Sequence, residues 1–403
     1  MTRDPAPDAP VIVSDEPGSF PRSVFLERHP ALIRRVRDAF PYGPGQRCAL
    51  DALLEESTGG VIEPLAADAP GREQWDAWRP EHFGQGWLDA PFLWAESCFY
   101  RKLLDAVGYF APGPWQGVDP FRPFKLAELR TAEADEELAA LDRLAALPVE
   151  EQAAALLHGS LWGNRADLGF RMGSAGGATD GGDSPVIVDD SDTLWELLPT
   201  GAGNSVHEAG HTVCLVADNA GRELVPDLLL VDHLLRHGRA ARVVLHVKPY
   251  PYYVSDATTS DVLDALRHLT GADGAARAAG ERLWAAMGGG LLEVRAHPFS
   301  CAPLPYADMP DDLREDFAAA TVTVFKGDLN YRRLVGDRLW LATTSFAGRT
   351  AYFPGPVAAL RTLKSQVIVG LDARTEQALD AATPDGGWRT GGTHAVIQTR
   401  VGP

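Results

Sequence analysis

After about residue 185 the sequence alternates short apolar stretches rich in β-branched residues with stretches whose apolar positions recur at helical spacing. The predicted strands are 212–219, 242–249, 291–297 and 321–328, and the predicted helices are 223–238, 258–271 and 310–320. Strands that alternate with helices join through right-handed crossovers into a mostly parallel sheet. The pattern therefore predicts an α/β domain over residues 185–403.

The first part of the chain has a different pattern. From about 21 to 172 the apolar spacing is helical, as in the stretches 22–40 and 133–159, so we predict a helical N-terminal region. Residues 173–184 are glycine-rich and form the predicted boundary between the two regions. Residues 1–20 are polar and proline-rich, and we predict that they form a flexible tail.

Charge and cysteine spacing limit the class of protein. Subtracting 55 acidic from 37 basic residues gives a net charge of −18, which argues against a nucleic-acid partner. The four cysteines, Cys48, Cys98, Cys214 and Cys301, are far apart and form no CxxC pair, as is typical of reduced thiols in a cytoplasmic protein. No apolar run is long enough to span a bilayer, and the N-terminus resembles neither a signal peptide nor a membrane anchor. We therefore expect a cytoplasmic protein without a membrane partner.

Polar side chains follow three predicted strands. Asp218 and Asn219 end the first, Asp256 follows the next, and Asp328 follows a third. An Asp after a strand is often only a helix cap or turn former, but ligands of open parallel sheets bind at the carboxyl ends of the strands. Carboxylate and amide oxygens suit Mg²⁺ or Mn²⁺, so Asp218, Asn219 and Asp256 are a candidate set of ligands for one divalent ion.

Two cations lie near the C-terminus. Arg361 and Lys364 are three residues apart, and we predict that they share one side of a helical turn. A metal ion with nearby cations suits a phosphoryl group, whose negative charge must be neutralised before water attacks. The alternative is a solvated basic face without a ligand.

A competing site is the H-E-x-x-H pattern, in which His207, Glu208 and His211 are the fixed residues. A zinc site of this kind needs both histidines one turn apart on a helix. The segment is followed immediately by a predicted strand, which leaves little room for such a helix. We therefore predict a loop here and assign the chemistry to the strand-end residues.

At this point the sequence resembles a known family. The stretches DNAGRELVPDLLLVDHLL, YVSDATTSDV, FKGDLNYRRLVGDRLW and LRTLKSQVIVGL are similar to the damage-control phosphatase family. Arg361-Thr362-Leu363-Lys364 matches the RTxK signature of its subfamily III, typified by the eukaryotic acidic-residue methyltransferase 1 proteins. Residues 119–125 and 161–168 also resemble family stretches, so the similarity covers roughly residues 95–372.

The resemblance implies an α/β/α sandwich with an all-helical N-terminal region and a divalent-metal phosphatase site that uses Mn, Mg, Co or Ni. The implied substrates are small phosphorylated metabolites, with fructose 1-phosphate and fructose 6-phosphate typical of the subfamily. It implies Asp218, Asn219 and Asp256 as metal ligands and Asp218, Asp256 and Asp328 as catalytic residues, with the base either Asp256 or Asp328. The implied substrate contacts are Asn164, Asp167, Asp328, Asn330, Tyr331, Arg361 and Lys364.

Two other functions compete with the phosphatase. The first is a carboxyl methyltransferase that uses S-adenosylmethionine, as proposed for eukaryotic relatives. A nucleoside cofactor would need glycines between a strand and a helix, whereas the glycines of residues 287–294 precede a predicted strand. The second is a sugar-phosphate sensor without turnover, which the full set of candidate ligands disfavours.

Overall fold

The structure, a computed structural model, describes residues 9–163, 186–200, 210–384 and 386–402. Its strands form one seven-stranded sheet in the order β1-β7-β6-β5-β2-β3-β4. The strands are β1 Val186–Asp189, β2 Thr212–Val216, β3 Arg242–Val247, β4 Leu292–Ala296, β5 Val322–Lys326, β6 Val357–Thr362 and β7 Ala395–Arg400. Neighbouring strands are parallel except β6 and β7, which are antiparallel. The predicted mostly parallel α/β fold is confirmed.

The helices that follow the first part of the chain lie between or beside these strands. They are α9 Ser191–Leu197, α10 Leu224–Arg236, α11 Thr259–Gly271, α12 Gly274–Gly288, α13 Asp311–Ala318, α14 Gly327–Val335, α15 Phe346–Arg349 and α16 Ala373–Ala382. Helix α11 begins with a capping box, in which Thr258 and Asp261 each accept a hydrogen bond from the other's backbone N–H. The predicted helices 223–238, 258–271 and 310–320 correspond to α10, α11 and α13.

The N-terminal region is helical, as predicted. Its α-helices are α1 Phe20–Ser23, α2 His29–Ala39, α3 Pro44–Gly59, α4 Arg72–Ala77, α5 Phe92–Val107, α6 Arg122–Glu128, α7 Ala132–Leu144 and α8 Val149–Trp162. A π-helical turn, Val24–Arg28, connects α1 to α2. None of the described helices is long and apolar enough to cross a membrane.

Alternate apolar residues of β2, β3, β5, β6 and β7 belong to two different hydrophobic clusters, as the pleat of a strand requires. In β2, Cys214 and Val216 belong to a cluster that includes α5, while Val213 and Leu215 belong to a cluster that includes α8 and α10. The N-terminal helices therefore cover parts of both faces of the sheet. The result is a layer of helices on each side of the sheet, with the carboxyl ends of the strands left open.

Residues 9–20 differ from the predicted flexible tail. The N–H of Ser14 donates to the carbonyl oxygen of Leu88 at 2.9 Å. The carbonyl oxygen of Pro10 accepts a hydrogen bond from the N–H of Leu339, also at 2.9 Å. These backbone hydrogen bonds hold the segment against both regions of the chain, which its polar, proline-rich composition did not reveal. Residues 1–8 and the predicted boundary at 173–184 lie outside the described residues.

Candidate active site

A cavity of about 460 Å³ opens where the four neighbouring strands β6, β5, β2 and β3 end. Five of the residues named from the sequence line it, and all of them follow the carboxyl ends of these strands: Asp218, Asn219, Asp256, Asp328 and Lys364. The other walls come largely from the helical region and from two loops: Phe20, Arg28, Glu96, Tyr100, Tyr253, Val254, Ser255, Leu329, Arg332, Thr390, Gly391 and Gly392. The structure thus brings the predicted strand-end residues together at one edge of the sheet.

Backbone hydrogen bonds tie the loop after β2 to the loop after β3. The N–H of Ala257 donates to the carbonyl oxygen of Asp218 at 2.9 Å, and Asn219 and Asp256 pair as an isolated antiparallel bridge. The Ser255 hydroxyl donates to Asn219 Oδ1 at 2.6 Å. These bonds explain why Asp256, which lies well beyond the end of β3, reaches the same point as Asp218.

Lysines surround Asp256 on the side away from the cavity. Its side chain is buried, and its Oδ2 lies 3.4 Å from Lys248 Nζ, an ion pair without the geometry of a hydrogen bond. Lys125, from helix α6, donates to the Asp256 carbonyl oxygen at 2.9 Å. The same ammonium also donates to Asp119 at 3.0 Å and to Asp261 at 2.9 Å. Lys125 therefore joins the helical region to the loop that carries Asp256.

The two carboxylates at the centre of the cavity are destabilised in their charged forms. Burial, with the nearby negative charges of Glu223 and Asp256, raises the pKa of Asp218 well above its usual range. Burial raises the pKa of Asp256 to about 6, although Lys248 and Lys125 oppose the shift. Clustered carboxylates that lack a sufficient positive charge suit a bound cation, and the Asn219 amide beside them adds a neutral oxygen ligand. The residues present fit a divalent ion.

The pKa of Asp328 is shifted in the opposite direction, towards the charged form. Its Oδ1 accepts hydrogen bonds from Arg361 Nε at 2.9 Å and from the Ser365 hydroxyl at 3.0 Å. Burial alone would raise its pKa, but the charges of Arg361 and Arg332 and these hydrogen bonds lower it below its ordinary value. Asp328 is therefore a fixed, ionised acceptor on the wall of the cavity.

The predicted helical turn at Arg361 and Lys364 is wrong. Arg361 lies in the last part of β6, whose β-branched and apolar residues are all buried, and its guanidinium is fully buried against Asp328. Lys364 follows the strand, with 45% of its side chain exposed. The two cations therefore have different roles. Arg361 orients Asp328, whereas Lys364 lines the cavity.

Glu223, next to Asn219, was not predicted from the sequence. Its carboxylate accepts a hydrogen bond from Asn219 Nδ2 at 2.8 Å and lies 3.8 Å from Lys364 Nζ. Glu223 comes four residues after Asn219, in the turn before α10, and that spacing was the available signal. Glu96, an acidic residue on the mostly apolar helix α5, was not predicted either.

Asn330 and Tyr331, predicted to contact substrate, have a different place in the structure. Both are fully buried and neither lines the cavity. Asn330 Nδ2 donates to the carbonyl oxygens of Ala217 and Lys326, at 2.9 and 2.8 Å, and the Tyr331 hydroxyl donates to Gln398 at 2.8 Å. These two side chains therefore stabilise the ends of the strands from positions outside the cavity. The other two predicted contacts, Asn164 and Asp167, lie outside the described residues.

Among the described residues no group of three or more His, Cys, Asp or Glu side chains has the geometry of a metal site. His211 lies immediately before β2, and its carbonyl oxygen accepts a hydrogen bond from the N–H of Ala241 at 2.9 Å. It is therefore at the opposite end of the strand from Asp218, up to about 23 Å away along an extended chain. His207 and Glu208 lie outside the described residues.

Gly327 allows the closest approach between two of these strand ends. Its φ of 82° lies in the left-handed region, and a Cβ at this position would overlap the Asp218 carboxylate. We expect Gly327→Ala to push Asp218 out of place and to lower any catalytic turnover at this site and metal affinity together, as measured by steady-state kinetics and calorimetry. Gly288→Ala, at a helical glycine with open space around it, is the control, and equal loss in both variants would contradict this role.

The chain is similar to proteins of a known family. A family model described as "Damage-control phosphatase ARMT1-like domain" matches residues 24–379. Proteins named damage-control phosphatase ARMT1 are 33% identical over 337 residues in Danio rerio and 30% identical over 338 residues in Rattus norvegicus. Each alignment covers 77% of this chain and 74% of the relative. A solved DUF89 family protein from Pyrococcus horikoshii has a TM-score of 0.46 and 16% identity, and the alignment covers 89% of this chain and 94% of that one.

Proposed function

The chain belongs to the damage-control phosphatase ARMT1-like domain family, and from this premise we propose that it is a divalent-metal-dependent phosphatase of small sugar phosphates. Fructose 1-phosphate and fructose 6-phosphate are the proposed substrates. The observation that carries the proposal is the shared cavity of Asp218, Asn219, Asp256 and Lys364. The names of the relatives describe phosphatases and lend no support to the alternative carboxyl methyltransferase.

Asp218, Asn219 and Asp256 would hold the metal ion. Their carboxylate and amide oxygens are hard ligands, and burial raises the pKa values of both aspartates, a cost to the charged carboxylates that a bound cation would offset. When bound, a divalent ion polarises the phosphoryl group and makes a bound water more acidic. Lys125 and the backbone bridge between Asn219 and Asp256 keep the three ligands in register.

Lys364 and Asp328 would act on the substrate itself. The ammonium of Lys364, half exposed after β6, can approach a phosphoryl oxygen as a point charge. With Asp218 and Asp256 assigned to the ion, Asp328 is the remaining strand-end carboxylate in the cavity. Held by Arg361 and Ser365, it would accept a hydrogen bond from the attacking water and orient it towards phosphorus.

The proposal is tested by assaying metal-free protein with phosphorylated metabolites while adding Mg²⁺, Mn²⁺, Co²⁺ or Ni²⁺ separately. We expect phosphate release from a ketose phosphate only when a divalent ion is present, and without S-adenosylmethionine. Failure to hydrolyse any sugar, nucleotide or aryl phosphate with any of these ions, combined with methyl transfer to carboxylates, would reject the phosphatase in favour of the methyltransferase.

Lys364→Ala is expected to weaken phosphate handling while the fold and metal binding persist. Loss of one charge positioned against the phosphoryl group costs on the order of 2–4 kcal/mol of transition-state stabilisation, so kcat/KM should fall by roughly 30- to 1,000-fold. Lys102→Ala is a matched control, because that lysine pairs with Glu56 away from the cavity. Unchanged kinetics in Lys364→Ala would mean that this lysine is a solvated surface residue that does not contact the substrate.

A further inference from the structure

The cavity is larger than the phosphoryl site alone requires. Its volume of about 460 Å³ is typical of a pocket that encloses a whole small molecule. The strand ends supply one wall, with Asp218, Asn219 and Asp256. Another wall comes from helix α5 and the loop after β3, where Glu96, Tyr100 and Tyr253 line the same space. This second wall is available for the part of the substrate that is not phosphorylated.

Glu96 is the chemically informative residue of this wall. It lies one helical turn before Tyr100 on α5, and only 8% of its surface is exposed, although it lines the cavity. Burial raises the pKa of Glu96 to about 7, while the charge of Arg332 opposes the shift. A carboxyl group is costly to bury on an apolar helix, so its position at a cavity indicates a ligand contact.

Two arginines, Arg28 and Arg332, line the cavity near Glu96. Arg332 donates from Nε and Nη2 to the two oxygens of Asp337, at 2.6 and 3.0 Å. The guanidinium of Arg28 lies over the Phe20 ring, 4.6 Å from its centroid. Tyr253 lines the same cavity beside Glu96 and lowers the pKa of its carboxyl group. The Glu96 carboxyl group thus retains capacity to accept hydrogen bonds from a molecule in the cavity.

Tyr253 is fixed at a conformational cost. Its φ of 49° lies in the left-handed region, which is a clear outlier for a bulky side chain. Its ring packs against that of Tyr100, with 4.7 Å between the centroids. Strained residues of this kind cluster at ligand-binding sites, where the surrounding structure holds them in place. The strain supports a functional role for the wall that Tyr253 shares with Glu96.

Resting on the phosphatase function above, we propose that Glu96, beside Tyr100 and Tyr253 on the same wall, forms a second subsite that binds hydroxyl groups of the substrate's carbon skeleton. A buried carboxylate acceptor favours neutral hydroxyl donors and repels a second anionic group placed beside it. The site therefore selects polyol or sugar monophosphates over alkyl phosphates and over bisphosphates. Glu96 is a specificity-determining residue, separate from the strand-end groups that handle phosphate.

The test compares three phosphate esters with the metal-loaded protein: fructose 6-phosphate, hexyl phosphate and fructose 1,6-bisphosphate. Glu96→Ala is expected to lower kcat/KM for fructose 6-phosphate by about 10- to 100-fold, mainly through KM, because a hydrogen bond to a charged group is lost. The ratio of kcat/KM for fructose 6-phosphate to that for hexyl phosphate should fall at least about tenfold. Glu96→Gln, which keeps one acceptor oxygen, should restore part of the ratio and improve relative use of the bisphosphate.

Glu55→Ala is the matched control, since Glu55 is an exposed carboxylate on α3, and it should leave the ratio as in the wild type. An equal fall for fructose 6-phosphate and hexyl phosphate in Glu96→Ala would overturn the subsite and give Glu96 a structural role. If Glu96→Ala lost more kcat/KM for glucosamine 6-phosphate than for fructose 6-phosphate, Glu96 would recognise an ammonium group and not hydroxyl groups.

Failure of the phosphatase function gives a different result. Wild-type protein that hydrolyses none of the three esters with any divalent ion rejects the phosphatase. Calorimetric binding of fructose 6-phosphate and hexyl phosphate then decides the subsite by itself. Preference for fructose 6-phosphate that disappears in Glu96→Ala supports the subsite, and equal affinity of the wild type for both ligands overturns it.

Discussion

Asp218→Asn is expected to lower kcat/KM for a sugar phosphate by about a thousandfold or more, because a lost metal ligand removes several kcal/mol of transition-state stabilisation. The amide keeps the shape of the carboxyl group but not its charge. Calorimetry should show weak or no binding of Mn²⁺ by the variant. His211→Ala is the control, since this histidine lies before β2 at the opposite end from Asp218, and it should keep most of the activity.

The same variant should be more stable than the wild type when no metal is added. The pKa of Asp218 is raised in the folded protein, so the folded state binds its proton more tightly than the unfolded state does. Stability of the wild type therefore falls as pH rises from the ordinary aspartate pKa through the folded value, and the penalty is fully present above it. Asp218→Asn lacks this penalty. Thermal unfolding at several pH values should show a shallower decline, and stabilisation by Mn²⁺ equal to that of the wild type would contradict the ligand role.

Lys125→Met is expected to cost the largest amount of stability, about 3–5 kcal/mol, because removal of a buried cation leaves its carboxylate partners uncompensated. The ammonium is 4% exposed, and its partners Asp119 and Asp261 are 10% and 5% exposed. It also holds the carbonyl oxygen of Asp256, so metal affinity should fall as well. Urea unfolding at neutral pH measures the first effect, and calorimetry with Mn²⁺ measures the second.

Arg122→Met provides a control on the same helix. Arg122 pairs with Asp264 at 2.7 Å, but 39% of its side chain is exposed, so its loss should cost no more than about 1 kcal/mol. Equal unfolding free energies for the two variants would mean that Lys125 is no more important than a surface cation. If Arg122→Met lost metal affinity and Lys125→Met did not, Arg122 and not Lys125 would couple α6 to the Asp256 loop.

The sequence predicted those parts of the fold whose local pattern agrees with their tertiary place. Strands β2, β3, β4 and β5 are short apolar runs between helices, and their order along the chain makes a parallel sheet with Asp218, Asp256 and Asp328 at one edge. The three aspartates converge because neighbouring parallel strands end at the same side of the sheet. No knowledge of side-chain contacts was needed for that step.

The remaining parts depend on contacts between residues far apart in sequence. β6 was interpreted as a helical turn because Arg361 and Lys364 match helical spacing, whereas the buried pairing of β6 with β5 and β7 decides its conformation. Glu96 and Lys125 lie on helices whose position over the strand ends no local pattern reveals. Residues 9–20 have the composition of a tail but are held by backbone hydrogen bonds to distant segments.

The place of β7 has a consequence for how the protein is made. β7 lies between β1 and β6, and the N–H of its Thr399 donates to Asp190 Oδ2, 209 positions earlier in the chain. While a ribosome is still adding the intervening residues, β2 to β5 can already associate, but β1 has no neighbour to pair with. Its edge stays exposed to other nascent chains throughout that interval, so slow translation or a stalled ribosome before residue 395 would favour aggregation over a closed sheet.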